Sequence, residues 1–392
     1  MAWMPQMHLF ISSGEPSGDL HGANLARALT ARDPGTKLVG FGGDNMTAAG
    51  VDLMYPLTQL SVMWLSRSIV NLPKFFQLAD RAERYFLRHK PDAVVVIDFP
   101  GFHWHIAKRA KAAGIPVYYF VPPQLWAWGG WRVRKMRRTV DAVLTALPFE
   151  EEWYAAKKVN THYVGHPYFD ELPRQTRNKE FMAEQRAKGK AIVAILPGSR
   201  NQEVSANLPL MLEAAKKISA SRPNTRFLIA AFNEKQGRKA KELLTASGLT
   251  AEVHVQRTPE IIELCEACIA VSGSVGLELM YQLKPTVVVY QYSRLARAVS
   301  SMLMTCPYIS LVNLLAKEEI FPEFLTYEDR TPDIARQILR WLNDAPSRAA
   351  TVAKLQALRD IVAVPGACER AADFLVDAIA ARQKPAAIRR VA

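Results

Sequence analysis

Cysteine is scarce in this chain. Four thiols in 392 residues, Cys265, Cys268, Cys306 and Cys368, are too few and too scattered for a disulfide framework. Cys265 and Cys268 stand as a CxxC, but no second pair and no neighbouring histidine completes a zinc site, so these thiols are expected to pack as small hydrophobes. No run approaches the roughly 18 apolar residues of a membrane-crossing helix. The opening MAWMPQMHLF has neither a basic region nor a long apolar core, so no signal peptide is expected. No Asp-x-Asp triplet occurs, so the usual carboxylate clamp for a metal-bound diphosphate is missing. Acidic residues are outnumbered, 37 against 50 Lys and Arg, for a net charge of +13. That excess calls for an anionic partner: nucleic acid, an anionic membrane surface or phosphorylated substrates. A cytoplasmic, reducing compartment is expected, with any membrane contact peripheral.

What is present reads as globular. Hydrophobic residues make up 49% and charged residues 22%, and the length exceeds what one core usually serves, so two domains are expected. Short apolar runs at residues 9–12, 93–97 (AVVVI) and 117–121 read as strands buried on both faces of a parallel sheet. Helical stretches such as 20–31 and 106–113 lie between them and end near Gly or Pro. The alternation restarts at AIVAILPGSR after a polar, basic stretch, with further strands at 227–231, 253–255, 269–271 and 286–290. The fold class expected is α/β, two Rossmann-like domains facing a cleft, with a C-terminal helical tail. The boundaries fall at 1–171, a linker and surface helix over 172–189, a second domain over 190–345, and the tail over 346–392. Ligands of such sheets sit beyond the carboxyl ends of the strands.

The informative loops lie at strand ends. In SSGEPSGD, Gly14 and Gly18 permit tight turning and the helix start favours an anion. Glu15 and Ser17 have no evident structural duty there and are candidate site residues, Glu15 as a catalytic carboxylate. The bland alternative is a capped turn with Asp19 as N-cap. In VVVIDFPGFHWH, Asp98 ends a fully apolar strand, the place for a general base that deprotonates an acceptor hydroxyl; the alternative is a cap for the following helix. In LPGSRNQEV, Gly198 lets the backbone approach a ligand, Ser199 offers a hydroxyl and Arg200 a fork suited to phosphate. In VSGSVGLEL, the turn Gly273, Ser274, Val275 and Gly276 would cradle a diphosphate, and Glu278 would reach a ribose. The segment PPQLWAWGGWRVRKMRR gathers three Trp and five basic residues, which suit nucleic acid, a sugar or lipid site, or a solvated basic helix. Residues 60–86 are unusually apolar with interspersed Arg67 and Lys74. Trp64, Leu65, Ile69, Phe75 and Phe76 are the candidate membrane contacts of that segment, with a core helix as the equal alternative.

Taken together, these motifs resemble the lipid-A-disaccharide synthase family of inverting, two-Rossmann (GT-B) glycosyltransferases. The resemblance runs from SGEPSGD through FVPPQLWAW, LPFE, VGHP and LPGSRNQEV to SGSVGLEL and ISLVNLL, covering nearly the whole chain. It implies an enzyme that joins UDP-2,3-diacylglucosamine to 2,3-diacylglucosamine 1-phosphate, forming a β-1,6-linked disaccharide and releasing UDP. It also implies residence on the cytoplasmic face of the inner membrane, against an anionic surface. Asp98 looks like the family's essential carboxylate, Arg200 like its essential arginine, and Ser274 and Glu278 like its nucleotide contacts. Asn313 matches another family position and, with Ser17, is assigned to the acceptor or its surroundings. The chain departs where the family often has Asp and Asn, here Gly101 and His103, where it usually has Arg, here Gly129, and in the turn Ser274-Val275-Gly276. No metal ion and no cofactor is expected, and no nucleic acid; a homodimer is left open. The rivals are a UDP-sugar epimerase of the same fold and a basic nucleic-acid-binding protein, against which stands the lack of any recognisable module.

Overall fold

The apolar runs become strands because nothing in them can face water. In the computed structural model, which describes residues 6–64, 72–291, 306–326 and 328–383, seven strands form the first sheet. They are β1 (His8–Ser13), β2 (Lys37–Phe41), β3 (Asp52–Tyr55), β4 (Ala93–Ile97), β5 (Val117–Phe120), β6 (Ala142–Thr145) and β7 (Thr161–Tyr163). Their spatial order is β3-β2-β1-β4-β5-β6-β7, with every pair parallel. Parallel neighbours need crossover helices, which cover both faces and bury the central strands completely. Accordingly every residue of AVVVI in β4 is buried.

A second all-parallel sheet follows from β8 (Ala191–Leu196), β9 (Thr225–Ala231), β10 (Glu252–Val255), β11 (Ala267–Ala270), β12 (Thr286–Gln291) and β13 (Glu323–Thr326). Its order is β10-β9-β8-β11-β12-β13. Cys265, Cys268 and Cys368 are buried, as the scarcity of thiols suggested, and Cys306 is half-buried. Among the described residues, no helix is long and apolar enough to cross a membrane.

The chain divides into two compact units, residues 1–173 with 364–392, and residues 174–363. This corrects the sequence boundaries at both ends of the second domain. The surface helix Lys179–Ala187 belongs to the second unit: its N-cap Asn178 donates its backbone N–H to Glu260, and Met182 and Gln185 are buried. The tail is split. Helix Ala345–Val362 stays with the second unit, packing against Thr331–Asn343, whereas Ala367–Gln383 returns to the first. Its stripe of Ala367, Cys368, Ala371, Ala372, Leu375 and Ile379 is buried against helix Pro16–Arg32 and the sheet. Each fully buried Leu or Ile there contributes about 1.5–3 kcal/mol. The Asp170 carboxylate accepts the N–H groups of Gly366, Ala367 and Cys368 and so caps the helix start, and Arg32 pairs with Asp373 beside it.

Three imidazoles of the first unit, His21 and His103 enclosed and His166 half-buried, stay neutral. Burial pushes His21 down to about 3 and His103 and His166 down to about 4. Below about pH 6.5 the unfolded chain binds protons that these folded groups refuse, so stability falls as pH drops from 6.5 towards 4. Glu150 opposes one of the three, because burial raises it to about 7 and it takes its proton in the folded state. The expected result is a loss on the order of 3 kcal/mol between pH 6.5 and 5. Urea unfolding followed by tryptophan fluorescence reports mainly this unit, since Trp341 is the sole tryptophan of the second. An unfolding midpoint that holds or rises over that pH range contradicts the assignment.

Candidate functional site

In the first sheet the chain leaves β1 towards β2 and leaves β4 towards β5, so the strand order reverses between β1 and β4. Ligands of open parallel sheets bind at such a switch point. Ser13 pairs with Ile97 in register, so the two loops that follow emerge side by side. They pack so closely that a Cβ on Gly14 would lie 2.2 Å from a ring carbon of Phe99. Asp98 is half-buried at this point, Glu15 is half-buried and Ser17 is exposed. Glu15 is the N-cap residue of helix Pro16–Arg32 without a side-chain cap bond. Asp19 is not the N-cap: it lies a turn inside that helix, and its carboxylate instead accepts the N–H groups of Gly43, Asn45 and Met46, capping helix Asp44–Ala48. Asp98 does not occupy the N-cap position of helix Pro100–Ala112, which is Phe99.

Asp98 and Phe99 are both left-handed, with φ of 50° and 47°, a conformation costing about 1–3 kcal/mol per non-glycine residue. Hydrogen bonds hold it. The Asp98 carbonyl accepts from Tyr119 Oη at 2.7 Å and from His103 Nδ1 at 2.7 Å. A carbonyl can only accept, so the proton of this neutral ring sits on Nδ1; Nε2 is then the acceptor for Ser12 Oγ at 2.9 Å. The ends of β1, β4 and β5 are thereby tied to one carbonyl group. Gly101 tolerates a side chain, for a Cβ there would meet nothing within 4 Å. Gly129 has φ of 73°, and the Arg132 guanidinium folds over it to bond the Trp128 carbonyl at 2.8 Å.

Of the three tryptophans in the basic segment, Trp126 is buried and donates to Glu150 at 2.9 Å, which ties WAW to LPFE. Trp128 and Trp131 are 54% and 70% exposed. Helix Val133–Thr139 buries Val133 and Met136 and exposes Arg134, Lys135, Arg137 and Arg138. Among the candidate membrane contacts, Phe75 is half-buried and packs against the core, its ring 5.9 Å from Phe99 and 5.5 Å from Phe102. The helical turn that carries Phe75 inward leaves Phe76 exposed, beside His105. Leu65 and Ile69 lie outside the described residues, as does the side chain of Trp64.

The second sheet repeats the logic. Its switch point falls between β8 and β11, where Leu196 pairs with Ala270. The loops beyond are those of Gly198, Ser199 and Arg200 and of Gly273, Ser274, Val275 and Gly276. Gly273 and Ser274 are exposed and Val275 and Gly276 half-buried. Glu278 is buried, 4.0 Å from Arg177 Nη2. The first loop holds a feature not foreseen. Glu203 accepts from Ser199 N at 3.0 Å and Arg200 N at 3.2 Å, and pairs with Arg200 Nη1 at 3.1 Å. These amides therefore do not await a phosphate, because an internal carboxylate already sits on them. Gly198, with φ of 120°, makes room for it: a Cβ there would lie 2.4 Å from Glu203 Oε2. The Arg-x-x-Glu spacing at a helix start, a capping-box spacing, is the signal that could have found it. Gln236 pins the same loop, donating to Ser199 O at 2.6 Å while accepting from Phe232 N at 3.1 Å. The Arg200 side chain remains 50% exposed.

Asn313 is not available to an acceptor. It is fully buried; its Nδ2 donates to Phe321 O and Glu323 Oε1, and its Oδ1 accepts from Ile320 N and Phe321 N. All four hydrogen-bonding sites of the amide are filled, so it organises the turn before β13.

Comparison with known proteins places this geometry in a family. The curated lipid-A-disaccharide synthase of Myxococcus xanthus is 34% identical over 371 residues, covering 94% of this chain and 97% of that protein. A UDP-GlcNAc 2-epimerase from Neisseria meningitidis, solved with UDP-GlcNAc, superposes with a TM-score of 0.64 over 96% of this chain and 100% of that one. The calicheamicin glycosyltransferase superposes with a TM-score of 0.62 over 97% of this chain and 100% of that one. At 12% and 14% identity these two share the fold alone. The sequence profile of the lipid-A-disaccharide synthetase family matches residues 9–374, and with the Myxococcus relative it establishes that this chain belongs to that family.

Proposed function

We propose that the chain is an inverting hexosyltransferase that condenses UDP-2,3-diacylglucosamine with 2,3-diacylglucosamine 1-phosphate, giving the β-1,6-linked disaccharide 1-phosphate of lipid A and UDP. The observation that carries the reading is the family match over residues 9–374, which includes every loop described above. Asp98, with Glu15 as a second carboxylate beside it, serves the acceptor. Asp98 takes the proton of the acceptor hydroxyl as its oxygen bonds to the anomeric carbon, and the bond from that carbon to the UDP oxygen breaks. Arg200 and the turn Gly273–Gly276 offset the charge that develops on UDP. Glu278 is proposed as the ribose contact and Ser17 as an acceptor contact. Incubation with each substrate alone and with both, in EDTA, tests the reading: UDP should appear only with both. An epimerase would convert the nucleotide sugar without any acceptor.

Its substrates carry acyl chains, so we place the working enzyme against an anionic membrane, on the inner membrane's cytoplasmic face. The support is a surface on the first unit: exposed Phe76 edges His105, which feels Lys135, and Trp131 precedes the basic helix. Exposed aromatics supply insertion and the basic residues attract headgroups. Trp131→Glu combined with Phe76→Glu should weaken sedimentation with anionic vesicles by roughly tenfold or more, with folding intact, because both rings are on the surface. Binding should also weaken at high salt. A wild-type protein that never sediments, or a variant that sediments as well as wild type, removes this surface from the reading.

A further inference from the structure

We infer that His103 is a positioning residue for Asp98, acting through the Asp98 backbone carbonyl and binding the β1 and β4 loops into one unit through Ser12. The inference rests on the proposed role of Asp98 as base. Asp98 and Phe99 occupy left-handed backbone that ordinary residues avoid, so this strand end does not hold its shape by local preference. Two donors converge on the carbonyl between them, His103 Nδ1 and Tyr119 Oη, each at 2.7 Å. His103 has no exposed surface, so water does not replace it when it is removed. Its other nitrogen takes the Ser12 hydroxyl proton at 2.9 Å, which fixes the end of β1 immediately before Gly14 and Glu15. Rotation of the 98–99 peptide would swing the Asp98 side chain away from the acceptor, and the two hydrogen bonds oppose that rotation. A misplacement of about 1 Å at a reacting group can lower turnover about 100-fold.

The two ring nitrogens can be tested separately. The amide nitrogen of an asparagine at 103 falls near Nδ1 and can serve the Asp98 carbonyl, whereas that of a glutamine falls near Nε2 and reaches towards Ser12. His103→Phe should lower kcat by about 10–100-fold with both KM values and UDP affinity within about twofold of wild type. His103→Asn should recover most of kcat and His103→Gln should not, whatever their melting temperatures. Tyr119→Phe, which deletes the second donor and little else, should lower kcat in the same sense, and it serves if His103→Phe does not fold. Equal activity of the Asn and Gln variants, or activity that follows melting temperature alone, overturns the inference while Asp98→Asn remains inactive. Near-normal turnover of Asp98→Asn instead removes the base reading itself, so the two failures are distinguishable.

Discussion

Asp98→Asn should lower turnover by about 10²–10⁴-fold, the usual range for loss of a general base, while leaving the fold and UDP binding intact. The structure makes this substitution a clean test. Asp98 sits at φ of 50°, and Asn is among the few residues that tolerate that region. The interactions described at this position use its backbone carbonyl, which Asn retains. An alanine would confound lost chemistry with added backbone strain. Turnover near wild type in a folded, UDP-binding Asp98→Asn protein would exclude the role, and Glu15, on the adjoining loop, would then be the carboxylate to test.

Arg200→Ala should weaken UDP binding by about 10–150-fold, corresponding to about 1.5–3 kcal/mol for a charged hydrogen bond to phosphate. The internal carboxylate makes the loss more informative. With the guanidinium gone, Glu203 still holds the Ser199 and Arg200 amides, so the loop keeps its shape but presents net negative charge to an anionic ligand. Arg200→Lys should recover only part of the affinity, because an ammonium group lacks the planar fork. Calorimetry showing wild-type UDP affinity together with wild-type turnover in Arg200→Ala would dismiss the assignment. A change confined to turnover would move the contact to the transition state.

Much of the fold was legible because fully buried strands leave no room for polar residues. AVVVI and AIVAIL announced β4 and β8, and the chemistry-bearing loops followed directly from them. The edge strands of the first sheet were not legible: β3 (DLMY) and β7 (THY) are short and partly exposed, so neither needs an apolar run. Of the candidate residues, Asp98, Glu15 and Arg200 stand at the strand ends where ligands of such sheets bind. Asn313 does not, because its side chain is engaged inside the protein, and half-buried Phe75 packs against the core.

The sequence by itself determined the two α/β sheets, the loops at their strand ends and, through motif order, the family. Tertiary structure alone decided who meets whom. Ser12 and His103 are 91 residues apart and Asp170 and Cys368 are 198 apart, yet each pair shares a hydrogen bond. Periodicity tells which face of an element is apolar, but burial is non-directional and names no partner. So the last helix was recognisable as a helix, while its return to the first unit was not. The adjacent Phe75 and Phe76 read alike, and packing turned one ring to the core and the other to solvent. Which carboxylate caps which helix was settled the same way, by strand order bringing distant loop ends within a hydrogen bond's reach.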